Sequence, residues 1–410
     1  PGATYTFTNI DNLVGTTGND TLTGSDSANV IDGGVGADIL IATAGNDTLI
    51  GGAGSDTFIV DSTLDVISEE FNSGTDLIKT TLSSYSLAAL INVENLTYTG
   101  SIDSTLTGNA LANTLRGGAG GDMLFGGSGS DTLFAGDGND WLFGYEEYSD
   151  SQLSNKEFTD KLTAEKNNSI DKLYGGKGND FYIFDYYLNT PEVIENRNEG
   201  IDTILGDLAS YTLGTNIENY VNDRSISSST VTITGNDLNN IIKTSPSGWD
   251  SANEILNTIS SHAKQEAFYG LGGNDTLMGG AGNDTLDGGL GQDILTGGAG
   301  TDCFDFTSVL NGTANIDTIT DFNRTDDFIR LDNAVMAGLG KTTGALTDAA
   351  FVSGAGRTTA FDATDRIIYN TTTGDLYYDA DGTGSSAAIK IALIGLSAHP
   401  ALDYTDFLII

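Results

Sequence analysis

Asp38, Asp47 and Asp56 stand nine residues apart, and two places after each comes an apolar residue, Leu40, Leu49 or Phe58. They belong to five nonapeptides in unbroken register from Gly15 to Ile59, beginning at Gly15, Gly24, Gly33, Ala42 and Gly51. Six residues make a glycine-rich turn that ends in a carboxylate, and three make a short strand with one apolar side chain. Such a unit is too small to bury its apolar residue alone. A nine-residue period therefore demands stacking, and the chain must coil on itself as a solenoid.

Two further arrays repeat the pattern. One starts at Gly108, Gly117, Gly126, Ala135 and Gly144, with Asp122, Asp131 and Asp140 in sixth place, and resumes at Gly175 with Asp180. The other opens at Gly235 and runs cleanly from Gly270, Gly279, Gly288 and Gly297, giving Asp275, Asp284, Asp293 and Asp302. The eighth place is apolar throughout, as at Leu22, Ile31, Leu115, Leu124, Leu133, Leu142, Leu277, Leu286, Leu295 and Phe304. Each array carries Asn in sixth place at or next to its opening repeat, Asn29, Asn113 or Asn240. A neutral amide is a weaker metal ligand, so these are capping turns or drifted repeats.

If successive repeats alternate between two faces, one winding takes eighteen residues, and the sixth-place aspartates of repeats n and n+2 lie about 4.8 Å apart. Bare carboxylates at that distance repel. With Ca²⁺ between them they become ligands, and turn carbonyls complete an oxygen shell. This predicts the pairs Asp20–Asp38, Asp38–Asp56, Asp122–Asp140, Asp275–Asp293 and Asp284–Asp302. Asp47 faces the Asn29 turn and is expected to be a weaker site. Asp131 faces Asn113, with its other neighbour near an insertion, and Asp180 is expected to pair with a turn from that insertion's end. At Kd values of about 10⁻⁴–10⁻³ M and about 1 mM Ca²⁺, each site adds roughly 0.4–1.4 kcal/mol. Several sites per array rival the net stability of a domain, so folding is expected to wait for calcium.

The charge agrees. Fifty-seven acidic residues against 17 basic ones give −40, which disfavours binding to nucleic acid or anionic membranes. The single cysteine, Cys303, excludes an internal disulfide and reads as a small buried apolar residue. No apolar run approaches the length of a transmembrane helix. The sequence starts at Pro1 without initiator Met or leader, in what reads as mid-domain sequence, so more protein is expected upstream.

Between the arrays lie two related spacers. Asp65–Glu69 and Asn92–Leu96 correspond to Glu192–Asn196 and Asn216–Tyr220, an offset near 124 residues that marks a duplicated module. Alternation such as Val231-Thr232-Ile233-Thr234 predicts strands. Two insertions read differently. Ser151–Asn167 mixes Lys, Glu and Leu, and Ser251–Phe268 sets Ile255, Leu256, Ile259 and Ala263 at helical spacing. Both are expected to be helical, as surface excursions or as contacts for a partner.

The repeats Gly33–Leu40 and Gly279–Leu286 closely resemble those of the RTX family, the hemolysin-type calcium-binding proteins. Asn315–Phe322 and Asp365–Asn370 resemble the β-rich C-terminal domain of serralysin-like secreted proteins, and Asp406–Ile410 resembles a type I secretion signal. The resemblance implies an all-β fold of three parallel β-rolls at 1–60, 108–185 (insertion 145–170) and 235–307 (insertion 244–269). β-rich spacers at 61–107 and 186–234 link them, and a C-terminal β domain with the secretion signal follows at 308–410. It also implies several Ca²⁺ ions held by Asp20, Asp38, Asp47, Asp56, Asp122, Asp131, Asp140, Asp180, Asp275, Asp284, Asp293 and Asp302. Added to these are the turn carbonyls of Gly34, Gly36, Gly118, Gly120, Gly127, Gly129, Gly280, Gly282, Gly289, Gly298 and Gly300. Export by the type I secretion machinery would place the protein outside a Gram-negative cell or on its surface.

Such repeats accompany many activities. The chain has two histidines, His262 and His399, and neither an H-E-x-x-H nor a G-x-S-x-G motif. The expectation is a non-enzymatic calcium-binding surface protein, self-assembling or bound to cell-surface glycan. The alternative is the export and folding portion of a larger exoenzyme, toxin or adhesin.

Overall fold

The computed structural model describes residues 4–6, 12–71, 73–144, 172–184, 192–206, 208–222, 230–244 and 265–410. The described residues are all-β, with three short 3₁₀ turns at Ala337–Leu339, Asp348–Ala350 and Tyr404–Asp406. They form two compact units, one reaching Ile204 and the other beginning at Leu205.

The first unit is a parallel β-solenoid. A ten-stranded sheet runs along it, taking Thr4–Thr6, Thr21–Thr23, Ile39–Ile41, Thr57–Val60, Leu77–Thr80, Asn95–Tyr98, Thr114–Ala119, Thr132–Asp137, Lys172–Lys177 and Glu192–Val193 in order. Opposite it lie Asn12–Val14, Val30–Val35, Thr48–Ala53 and Val66–Ser68, and further along Ser84–Ser86, Thr105–Thr107, Met123–Phe125, Trp141–Phe143 and Phe181–Phe184. Within the arrays the register advances by one winding at a time, Leu22 opposite Leu40 and Leu40 opposite Phe58. Eighth-place side chains stack inward, and Leu40, Leu49, Phe58, Leu115, Leu124, Leu133, Leu142 and Leu173 are fully buried.

The spacer after the first array stays in this ladder. Leu77–Thr80 pairs with Thr57–Val60 on one side and with Asn95–Tyr98 on the other, all parallel. Val60–Ser68 also keeps the nine-residue frame, with Asp65 in sixth place: its Oδ1 accepts the backbone N–H of Asp47 at 3.0 Å. The insertion in the second array leaves the ladder undisturbed, because Thr132 pairs with Lys172 and Gly136 with Gly176. The helix expected over Ser151–Asn167 lies outside the described residues.

The second unit continues the same grammar. Its two facing sheets hold Thr276–Ala281 and Ile294–Ala299 on one side and Thr285–Asp287 and Cys303–Phe306 on the other. The helix expected over Ser251–Phe268 is corrected at its end. Gln265–Tyr269 is a strand, with Ile233 opposite Phe268, whose ring is fully buried. Alternate burial against a parallel neighbour outweighs the helical spacing, whose four apolar residues lie outside the described residues. Beyond the third array, Asp317–Ile319 pairs in parallel with Ile294–Ala299. Ile389–Ile394, Asp375–Tyr378 and Ile367–Asn370 then pair antiparallel, so the winding gives way to hairpins. Phe407–Ile409 is an inner strand between Phe328–Leu331 and Gly344–Ala345, with Phe407 fully buried.

Candidate metal centres

Each sixth-place aspartate from Asp38 onward is drawn inward by one hydrogen bond. Its Oδ1 accepts the backbone N–H of the sixth residue one winding earlier. Asp20 donates to Asp38 and Asp38 to Asp56 at 2.7 Å, Asp122 to Asp140 at 2.7 Å, Asp275 to Asp293 at 2.8 Å and Asp284 to Asp302 at 2.9 Å. All five expected pairs are thus adjacent in the turn columns. Asp47 and Asp131 take the same bond from Asn29 and Asn113, at 2.7 and 2.8 Å. Asp180 corrects the expectation. Its partner is Asp140, at 2.8 Å and 40 residues away, because the ladder closes over the insertion. Counting residues had also hidden Glu266, whose N–H donates to Asp284 at 2.8 Å, and Asp317 and Asp327, which receive the N–H groups of Asp293 and Asp302.

The second oxygen decides the chemistry. Oδ2 of Asp38, Asp56, Asp122, Asp140, Asp180, Asp275, Asp293 and Asp302 is buried and accepts no hydrogen bond. A buried, uncompensated carboxylate oxygen is costly. Burial accordingly pushes Asp140, Asp180 and Asp275 up to about 7 and Asp302 up to about 6, with the neighbouring aspartate of each column adding to the rise. Asp20 and Asp47 differ. Thr16 donates both N–H and hydroxyl to Oδ2 of Asp20, at 2.6 and 2.7 Å, and the Thr43 N–H reaches Oδ2 of Asp47 at 3.3 Å. A threonine in second place satisfies the oxygen that a Gly-Gly turn leaves exposed to the column.

The asparagine turns are satisfied as well. Oδ1 of Asn113 accepts the N–H of Asn109 at 2.7 Å, and its Nδ2 donates to the Glu94 carbonyl at 3.0 Å. Asn240 accepts from the N–H of Asn236 at 2.8 Å and donates to the Glu218 carbonyl at 3.1 Å. Asn29 accepts from the Ser25 N–H at 2.5 Å. These amides cap the arrays by hydrogen bonding alone.

Glycine is needed where the column narrows. A Cβ on Gly33 would lie 2.6 Å from Oδ2 of Asp38 and 2.7 Å from the carbonyl oxygen of Gly51, closer than real contacts. The turn glycines Gly34, Gly36, Gly118, Gly120, Gly127, Gly129, Gly280, Gly282, Gly289, Gly298 and Gly300 all have φ between 92° and 146°. Carbonyls of Gly34, Gly36, Gly118, Gly120, Gly280 and Gly282 lie against the glycine one winding on. The donor set is wholly oxygen, carboxylate plus carbonyl, which suits calcium rather than a thiophilic metal. A divalent cation supplies the positive charge that these buried oxygens lack.

Two clusters escaped the sequence reading. Asp56, Glu69 and Asp76 offer carboxylate oxygens within 4.8 Å of one another, as do Asp180, Glu195 and Asp202. Burial, reinforced by Asp76, pushes Glu69 up to about 8, and burial reinforced by Asp202 and Asp180 pushes Glu195 up to about 9. The strand register also corrects the spacer alignment. Glu69 matches Glu195 and Asp76 matches Asp202, whereas sequence comparison had set Glu69 against Asn196. The visible signal was a glutamate directly after a short apolar strand, Val66-Ile67-Ser68-Glu69 and Val193-Ile194-Glu195.

The RTX calcium-binding nonapeptide repeat family (4 copies) matches residues 5–40, 32–67, 105–144, 167–185 and 269–302. No curated protein matches the chain.

Proposed function

From the premise that this chain is an RTX repeat protein, whose nonapeptides bind calcium, we propose that it is a secreted structural or surface protein that folds on meeting extracellular calcium. The observation that carries this reading is the column of buried Oδ2 atoms in the turns that lack a second-place threonine. Uncompensated, they oppose the fold; bridged by calcium, they hold the windings together. Low cytosolic calcium would leave the polypeptide extended for export, and higher calcium outside would let it wind. The turn glycines and sixth-place carboxylates are assigned to the ion. The solenoid itself is assigned a scaffolding role, since the sequence contains neither of the hydrolase motifs noted above.

Calcium titration of the metal-free chain, followed by circular dichroism and calorimetry, tests the folding step. A coil-to-β transition with heat of binding is expected, and superposable spectra in EGTA and in millimolar calcium would refute it. The surface role is tested by imaging producing cells before and after chelation. Calcium-dependent retention of this chain on the cell supports it. Recovery of a much larger species with hydrolytic activity would favour the reading as part of an exoenzyme.

A further inference from the structure

We propose that Asp56, Glu69 and Asp76 form a calcium site that closes the first array, and that Asp180, Glu195 and Asp202 form its counterpart at the end of the second. In both, a glutamate side chain replaces the backbone carbonyl found inside the arrays. The inference rests on the calcium reading above and adds to Asp56 and Asp180 four residues outside the nonapeptide ligand set, Glu69, Asp76, Glu195 and Asp202.

The register explains the replacement. Thr48, Leu49 and Ile50 pair with Val66, Ile67 and Ser68, so the next residue, Glu69, falls opposite Gly51. Leu173 pairs with Val193, and two steps on Glu195 falls opposite Gly175. Each glutamate thus stands in the first place of the following winding, where a repeat has glycine or alanine. Inside the array, the space beside Gly33 holds Oδ2 of Asp38 and the Gly51 carbonyl. Beside Gly51 the same space holds Oδ2 of Asp56 and Oε1 of Glu69, and beside Gly175 it holds Oδ2 of Asp180 and Oε1 of Glu195.

The atoms point to a cation independently of the clustering. Asp56 is 1% exposed and Asp76 fully buried, yet Oδ2 of both, like Oε1 of Glu69, accepts no hydrogen bond. Their other oxygens are engaged: Asp76 Oδ1 takes the Asp56 N–H at 2.8 Å, and Glu69 Oε2 takes the Ser73 hydroxyl at 3.0 Å. In the second cluster Asp202 Oδ1 takes the Asp180 N–H at 3.0 Å. Tyr182, in eighth place, donates to Glu195 while accepting the Gly175 N–H at 2.9 Å. Such supports fix the direction of a ligand.

The third array shows the contrast. There Asp321 takes the corresponding place, and its two oxygens accept the N–H groups of Gly297 and Gly298 at 3.0 and 2.9 Å. Its shorter side chain is spent on the backbone. Calcium affinity rises with ligand charge and rigidity, so the two closing sites, with three carboxylates each, are tighter than the two-carboxylate sites inside the arrays.

Isothermal calorimetry of the full chain with CaCl₂ tests this. The expected isotherm has a minor class of sites at least about tenfold tighter than the rest, and the double variant Glu69→Gln with Glu195→Gln loses that class while the weaker uptake persists. A second double variant, Glu69→Gly with Glu195→Gly, restores a bare first place. It is expected to convert both closing sites to ordinary affinity with β structure retained at saturating calcium, so it reports even if the glutamine variant fails to fold. Isotherms that superpose on the parent overturn the proposal. Absence of uptake by the parent chain would instead overturn the calcium reading beneath it.

Discussion

Asp38 and Asp20 occupy the same place in the same nine-residue unit and are joined by one hydrogen bond, yet they are chemically opposite. Oδ2 of Asp20 is engaged, because Thr16 in second place donates to it twice. Asp38, behind Gly33-Gly34, keeps a buried Oδ2 without a donor. Asn113 goes one step further and binds back with both ends of its amide. The lesson is that winding and metal demand are separable. Turns with a second-place threonine or a sixth-place asparagine hold themselves by hydrogen bonds, and turns such as those of Asp38, Asp140 and Asp275 require a cation.

The strongest way to break this contrast is to remove calcium. At neutral pH, EGTA is expected to abolish most β structure. Several sites at roughly 0.4–1.4 kcal/mol each add to a few kcal/mol, comparable with a domain's net stability. Far-ultraviolet circular dichroism measures this directly, and retained β signal would mean the Gly-Gly turns are self-sufficient after all.

Single substitutions sharpen it. Asp140→Asn removes a charge shared by the turns of Asp122 and Asp180 and is expected to cost about 1–3 kcal/mol in calcium. In EGTA the same change is expected to leave or raise the residual β signal, since a buried charge is gone. Asp20→Asn, at a carboxylate whose Oδ2 Thr16 already engages, is expected to fall within about 1 kcal/mol in calcium. Equal effects in chemical denaturation at the two positions would erase the distinction.

Acidity probes the same oxygens. The folded values of Asp140, Asp180 and Asp275 are about 7, and those of Asp76 and Asp302 about 6, against 3.8 for an ordinary aspartate. A raised folded value means that the fold binds more protons than the coil. That contribution is complete below about pH 4 and is lost as pH rises through 6 to 7. In EGTA, β structure is therefore expected to be better retained at pH 5 than at pH 8, as read by far-ultraviolet circular dichroism. In calcium the trend reverses, because protons compete for the ligands, and binding near pH 6 is expected to release protons. Identical circular dichroism spectra in EGTA at the two pH values would contradict the assignment.

The smallest effect concerns Leu271, which holds second place with φ +74 and is 48% exposed. Leu271→Gly is expected to gain roughly 1 kcal/mol by relieving the left-handed backbone, read as a modest rise in melting temperature at saturating calcium.

Much of this was legible in the residues. The period dictated stacking, the eighth-place residues named the core, and the sixth-place aspartates named the column, because each property repeats within nine residues. Even the split between Asp20 and Asp38 is written in the second residue, Thr16 against Gly34, although only the hydrogen bonds disclosed its meaning. The helical spacing at Ser251–Phe268 misled because local periodicity could not weigh the parallel neighbour that takes up Gln265–Tyr269.

By itself, then, the sequence determined the solenoid, its apolar core and its affinity for a hard cation. These follow from short-range pattern and from the cost of an unpaired carboxylate. Tertiary structure alone decided which distant residues meet on adjacent windings: Asp140 with Asp180 across 40 positions, Gly51 with Glu69, and Gly175 with Glu195. The reason is physical. Parallel strands read only register, so a segment of any length can be looped out or shortened between them, and the partner of each turn is set by where the chain returns.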